Sequence, residues 1–388
     1  MAKYKLDDLC EFITDGTHQT PEYCEEGGVI FLSSKDVTER KINWDDVKHI
    51  PDSLHEKLYK RLRPQKNDIL LAKNGTTGVA AIVDRDEIFD IYVSLAVLRP
   101  IKSIYPKYLL YAINSPVAKR QFDAGLKGIG VPNLHLGVIR ETVINVAERE
   151  EQELICETLD KVAGIIDKRK AELNALDDLI KARFVEMFGD PISNPLGWKK
   201  RVLREVCTKL NDGTHFSPES FETGEYKYIT AKNIKMSGFD FSNITYVSEE
   251  VHRPIYERCN PEYGDVLYIK DGVTTGIAMV NTLEEEFTLL SSVALLKQDR
   301  RIMNGYFLTA LLNNESMYTD IRNNMGGAAI TRLTIAKLNA IKVILPPLDL
   351  QNQFADFVHQ VDKLKLQVQK SLDETQTLFD SLMQQYFG

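Results

Sequence analysis

The chain has 388 residues, 43% hydrophobic and 27% charged, an ordinary globular composition with room for two or more cores. No apolar run reaches the ~18 residues a membrane-spanning helix needs, and the opening MAKYKLDDLC lacks the apolar segment of a secretory signal, so no membrane association and a cytoplasmic location are expected. The net charge of −8 sits in two short stretches. Residues 1–149 hold 21 basic and 21 acidic side chains and residues 194–348 hold 18 of each, whereas 150–193 and 349–388 carry −5 and −3. The long stretches therefore neither forbid nucleic-acid binding nor argue for it. Five scattered cysteines with no C-x-x-C pair fit a reduced compartment rather than a disulfide framework or a zinc site.

From the N-terminus, short β-like runs follow one another: VIFLSS from Val29, DILLA from Asp68, AAIV from Ala80 and YVSLAVL from Tyr92. Glycine, asparagine, aspartate and proline punctuate them, and one helix is predicted over 106–115. Residues 1–149 thus read as a mixed α+β lobe. Residues 150–193 read as a long helix. Ile155, Leu159, Val162, Ile166, Leu173, Leu176 and Ile180 recur in alternating steps of four and three, with Arg169 and Arg183 as polar breaks.

The pattern then begins again. The DGTH of 15–18 returns at 212–215, an offset of 197, and FLSSKDV (31–37) parallels YITAKNI (228–234) at the same offset. DILLAKNGTTG (68–78) parallels DVLYIKDGVTTG (265–276), and a helix is predicted over 305–314. Residues 194–348 form a second lobe and 349–388 a second long helix, whose seam is Phe354, Val358, Val361, Val368, Leu372, Phe379 and Leu382, broken by Lys365 and Thr375. A period this long marks a duplicated domain rather than a solenoid. Heptads held through both helices argue for a coiled coil. Because the polar breaks fall at different positions, the two unlike helices are expected to pair with each other, antiparallel, rather than each packing on its own lobe.

Four sets of residues are candidates for contact with a ligand, which the family resemblance set out below implies is double-stranded DNA. In Asp15, Gly16, Thr17 and His18, and in Asp212, Gly213, Thr214 and His215, a turn accounts for Asp-Gly, while threonine and histidine add donors that no turn requires. Lys73 precedes a Gly/Thr loop containing Asn74, Thr76 and Thr77, and Lys270 precedes one containing Thr274 and Thr275. Glycine lets a backbone approach phosphate and threonine and lysine donate to it, a hairpin turn being the alternative. Lys127 and Arg332 belong to glycine-rich segments read as DNA-contacting loops or as plain connections. Lys35 and Lys232 each close a strand and are either phosphate or guanine ligands or solvated lysines. No residue is assigned to catalysis, because no methyltransferase Asn/Asp-Pro-Pro-aromatic motif or phosphate loop is found. No metal is assigned either, since His18 and His215 lack a second ligand at a repeating spacing.

The run LDDLIKARFVEMFGDPISNPLGW (176–198) resembles the central conserved region of type I restriction-modification specificity subunits. So does the passage through Pro346, Pro347 and Leu348 into Gln351, Asn352, Gln353 and Phe354, and the DGTH loops are similar to motifs of that family's recognition domains. The resemblance covers the whole chain. It implies a non-catalytic subunit in which each lobe reads one half of a split, asymmetric DNA target. It also implies that the paired helices set the spacing and dock two methyltransferase subunits, with motor-nuclease subunits completing a restriction enzyme. S-adenosylmethionine, ATP and magnesium would then belong to the partners and no cofactor to this chain. One departure is Val146-Ala147-Glu148 where the second repeat has Leu345-Pro346-Pro347, which implies a less rigid exit from the first lobe.

Overall fold

The structure, a computed structural model, describes residues 2–126, 132–325 and 332–388. It forms two compact units, Met1–Lys170 with Lys370–Gly388, and Ala171–Gln369.

In the first unit four antiparallel strands lie in the order Cys10–Asp15, Leu95–Pro100, Ile69–Ala72, Ala80–Ile82. The run ILLA is buried at every position, where a one-sided sheet would alternate. Both faces are covered. Ile69 and Leu71 belong to one core with Leu98, Leu109 and Ile113, whereas Leu70 and Ala72 belong to another with Leu32, Phe89 and Val97. A three-stranded mixed sheet, Lys48–Ile50, Val29–Leu32 and Phe89–Ile91, lies against this second core. Strand Ala2–Lys5 pairs with Val143–Val146, so the entry and exit of the lobe lie side by side.

The predicted helix is present as Pro106–Ile113, but three further helices accompany it, Asp52–Arg61, Pro116–Gly125 and the short Leu136–Glu141. Asp52–Arg61 buries none of its residues fully, and half-buried Leu54 and Leu58 make too short an apolar stripe to mark a 3.6-residue period. Pro116 reads as a break in sequence, yet it opens a helix whose Ser115 cap accepts from the Ala118 amide. A proline in the first turn loses nothing, because its missing N–H would have been unpaired there.

The second unit repeats the plan. Its sheets run Cys207–Asp212, Val293–Gln298, Val266–Ile269, Ala278–Val280 and Thr245–Val247, Tyr226–Ile229, Phe287–Leu289. Gly305–Leu312 answers the helix predicted over 305–314. Val266 and Tyr268 enter one core, Leu267 and Ile269 the other.

The two long helices are Arg149–Phe188 and Leu348–Phe387. Ile155, Leu159, Val162 and Ile166 are buried in the main core of the first unit, and Phe354 and Val358 in that of the second. Val361, Val368 and Phe379 are also buried, while Leu173, Leu176, Ile180, Leu372 and Leu382 are half-buried. Antiparallel pairing is visible within the second unit. Lys365 Nζ lies 2.6 Å from Asp177 Oδ1, and further along Phe184 meets Phe354, so one residue number rises as the other falls. The polar break Lys365 is thereby matched by a carboxylate of the opposite helix.

The helices do not choose between each other and the lobes, as expected from sequence; they do both. In the first unit Phe379, Met383 and Phe387 from the end of the second helix enter the main core, with the Phe387 ring 5.1 Å from Tyr108 and Phe379 6.2 Å from Tyr111. In the second unit Phe184 and Phe188 from the end of the first helix meet Phe307 at 5.7 and 4.7 Å. Each core is closed by the start of the helix that follows its lobe and by the end of the other. Phe184, Phe188, Met383 and Phe387 lie off the expected seam because a helix packed against two neighbours needs a wider apolar stripe. No described helix is long and apolar enough to cross a membrane.

Candidate nucleic-acid interface

Antiparallel pairing brings three chain segments to one edge of the four-stranded sheet. Asp15, at the end of its strand, pairs with Ala96, and Ala72, at the end of its own, pairs with Leu95. The DGTH turn and the Gly/Thr loop both leave from this edge. Backbone bonds knit them: the Thr17 amide donates to Ile91 O at 3.1 Å, the Lys73 amide to Ser94 O at 2.8 Å and the Leu134 amide to Lys73 O at 2.9 Å. The second lobe repeats them from Thr214 to Leu289 O, Lys270 to Ser292 O and Leu333 to Lys270 O.

Gly16 is required by this knitting. A Cβ there would lie 2.0 Å from the Ile91 carbonyl oxygen, and one on Gly213 would lie 1.8 Å from that of Leu289. Close approach of two backbones leaves no room for a side chain.

Asp15 is buried, and Lys73 Nζ lies 2.5 Å from one of its oxygens while His18 Nε2 lies 3.3 Å from the other. Burial pushes the Asp15 carboxyl up, but Lys73 and His18 outweigh it and hold the group below its usual range. In the second lobe Lys270 and His215 approach Asp212 at 3.3 and 3.2 Å, and Lys270 also reaches Asp271 at 3.0 Å. Lys73 and Lys270 were expected at phosphate. The structure instead places both beneath the loops, buried against carboxylates. What reaches the surface is the imidazole, with the His18 side chain 74% and the His215 side chain 58% exposed.

Thr76 and Thr274 are exposed, Asn74 and Thr77 half-buried, and Thr275 buried with its hydroxyl donating to Gly272 O at 2.6 Å. Thr17 is half-buried and Thr214 buried. Lys35 and Lys232 are exposed on the short turns Ser34–Asp36 and Ala231–Asn233. The Ser94 and Ser292 hydroxyls tie these turns to the same edge by accepting from the Ser34 and Ala231 amides at 3.0 and 3.2 Å. Arg332 is exposed with Nε 3.4 Å from Asp271 Oδ1. Lys127 lies outside the described residues.

Two arginines escaped the sequence reading. Arg61 Nη2 donates to Asp15 O at 2.8 Å, and Arg258 donates to Gly213 O and stands 3.5 Å from Asp212 Oδ1. Each ends a surface helix and braces the DGTH turn from behind. Their shared offset of 197, equal to that of DGTH itself, was the available signal. In the first unit the edge also holds a cavity of about 440 Å³, bordered by Asp15, His18, Lys73, Asn74, Asn133 and His135 among others. Among the described residues no group of three or more His, Cys, Asp or Glu side chains is placed to hold a metal ion.

Residues 1–176 and 195–375 each match the family described as the type I restriction modification DNA specificity domain. The chain belongs to that family. It is a type I specificity subunit that carries the recognition domain twice. It is 20% identical over 341 residues to the type I restriction enzyme MjaIX specificity subunit of Methanocaldococcus jannaschii, a match covering 82% of this chain and 76% of that one. To the EcoKI specificity subunit of Escherichia coli K12 it is 19% identical over 409 residues, covering 98% and 86%. Its fold is that of the type I restriction-modification S subunit from M. genitalium, with a TM-score of 0.55, 17% identity and coverage of 100% and 96%. A chain from a structure on complex assembly and conformational transition of the type I R-M system gives 0.54 at 18% identity, covering 99% and 97%. In this specificity subunit, the duplication read from sequence and the paired loop edges seen in the structure are the two copies of one family domain.

Proposed function

We propose that this specificity subunit has no catalytic activity of its own and acts in the cytoplasm by presenting a split, asymmetric duplex target to partner enzymes. Each lobe reads one half-site with the edge that carries its DGTH turn and Gly/Thr loop. The paired helices dock two methyltransferase subunits, and motor-nuclease subunits join that core. S-adenosylmethionine, ATP and magnesium act in those partners. The observation that carries this reading is the repeated edge, with the same Asp-Lys-His scaffold in both lobes but different residues mounted on it. Identical scaffolds with unlike loops suit one task performed on two different sequences.

Exposed His18, Lys35, Thr76, His215, Lys232, Thr274 and Arg332 are the groups that would meet phosphate or base edges. Lys73 and Lys270 would act from below, by holding Asp15 and Asp212 in place. Methylome sequencing of cells with and without the gene tests the proposal. Loss of methylation at one two-part, non-palindromic motif is expected. An unchanged methylome, or loss at a continuous palindrome, would refute it.

A further inference from the structure

The two lobes share a scaffold at the reading edge and differ in what stands beside it. The backbone bridge between Asn74 and Asn133 in the first lobe corresponds to the bridge between Asp271 and Arg332 in the second. The amides that follow, Leu134 and Leu333, donate to the carbonyls of Lys73 and Lys270 in the same way. Asn133 therefore occupies the position of Arg332. In the second lobe the bridged pair is charged, with Arg332 Nε 3.4 Å from Asp271 Oδ1, an ion-pair approach that makes no hydrogen bond to that oxygen. In the first lobe both members are neutral amides, and both border the cavity of about 440 Å³.

Asn133 Oδ1 is closed off from solvent and accepts no hydrogen bond from any described residue. A buried acceptor without a donor is costly, and the terminal amide torsion of asparagine is a broad, soft well. Turning that amide into the cavity would place an acceptor and a donor side by side at the edge of the lobe. This is the complement of adenine in the major groove, whose N6 amino group donates and whose N7 accepts. Guanine offers two acceptors there, which suit the all-donor guanidinium found at the equivalent place in the second lobe.

We propose that Asn133 is a specificity-determining residue of the first lobe and reads an adenine, Oδ1 accepting from N6 and Nδ2 donating to N7. The proposal rests on the reading of the lobes as DNA-recognition elements.

The test uses the full chain with its methyltransferase partner and duplexes of the methylated motif carrying 7-deazaadenine at each half-site adenine in turn. The analogue removes only the N7 acceptor and leaves the protein untouched. At one adenine, binding by the wild-type complex should weaken by about tenfold. The Asn133→Ala complex should bind the modified and unmodified duplexes alike at that position. No sensitive adenine, or equal sensitivity in the Asn133→Ala complex, would overturn the assignment. Methylomes of cells carrying Asn133→Ala should show tolerance at that one position and an intact second half-site. A motif that depends on the chain but keeps every position in Asn133→Ala would refute only the role of Asn133. A motif that persists without the chain would refute the specificity-subunit reading itself.

Discussion

Phe379→Ala should destabilise the first unit selectively, although residue 379 lies at the far end of the chain from the first lobe's sheets. The Phe379 ring is 1% exposed, packs 6.2 Å from Tyr111 and lies 4.8 Å under the Arg40 guanidinium. Truncating a phenylalanine in a core that cannot collapse costs about 3–5 kcal/mol. The lost cation–π contact, worth about 0.5–2 kcal/mol by itself, is part of that cost. A loss of about 3–5 kcal/mol is roughly two to three and a half powers of ten in the unfolding equilibrium, against a total domain stability of about 5–15 kcal/mol. The variant should therefore fold but open far more often. Amide hydrogen exchange on the whole chain reads this directly, because the slowest amides report on complete opening of their unit. Those of Ile69–Ala72 and of residues 95–99 should speed up by about a hundredfold or more, while those of Val266–Ile269 and Val293–Gln298 keep wild-type rates. Phe184→Ala should give the mirror result, because its ring closes the second unit's core. Faster exchange confined to the end of the second helix, or equal in both units, would show that Phe379 does not complete the first core.

Gly16→Ala and Gly213→Ala should each abolish methylation by dislodging one DGTH turn, since the new Cβ meets a carbonyl oxygen at 2.0 or 1.8 Å. An alanine variant with an unchanged methylome would refute the close-approach argument. Lys73→Met strips the cation from a buried pair and should cost about 3–5 kcal/mol at neutral pH. The folded carboxyl of Asp15 is held below its usual range, so the pair's contribution is whole above the unfolded value of about 3.9 and fades as pH falls through the folded one. The gap in urea midpoint between wild type and Lys73→Met should therefore narrow in acid, and a gap constant with pH would refute the pairing. Burial pushes the thiols of buried Cys10, Cys156 and Cys259, and that of half-buried Cys207, up to about 12; Cys24 is half-buried. An aromatic disulfide reagent at mildly alkaline pH should label Cys24 well before the other four, and rapid labelling of several thiols in the native chain would contradict this.

Much of the candidate interface was legible because duplication shows each motif twice. DGTH and the Gly/Thr loops recur at nearly one offset; their strands both pair antiparallel with Leu95–Pro100, which lies between them, so they run the same way and their exits share an edge. The depth of each side chain was not legible. A lysine before a Gly/Thr loop has the chemistry of a phosphate ligand, but Lys73 is buried by a carboxylate 58 residues away. Arg61 ends a helix that buries no residue fully and Arg258 one with a proline inside it, so neither stood out as part of a site. Asn133 follows a glycine-rich stretch in which asparagine is an ordinary turn residue.

By itself, the sequence determined the two-lobe repeat, the mixed character of each lobe and the two long helices. Each is a matter of period: about 198 residues for the repeat, alternating four and three for the helices, and short β-branched runs between turn residues for the sheets. Only the tertiary structure decided which core each end of each helix completes. Phe184 and Phe188 follow the first lobe in sequence yet close the second unit's core, and Phe379, Met383 and Phe387 follow the second lobe yet close the first's. The physical reason is that burial of apolar surface is non-directional. A stripe of phenylalanine and leucine records that a helix face must leave water, and nothing in the stripe records what covers it.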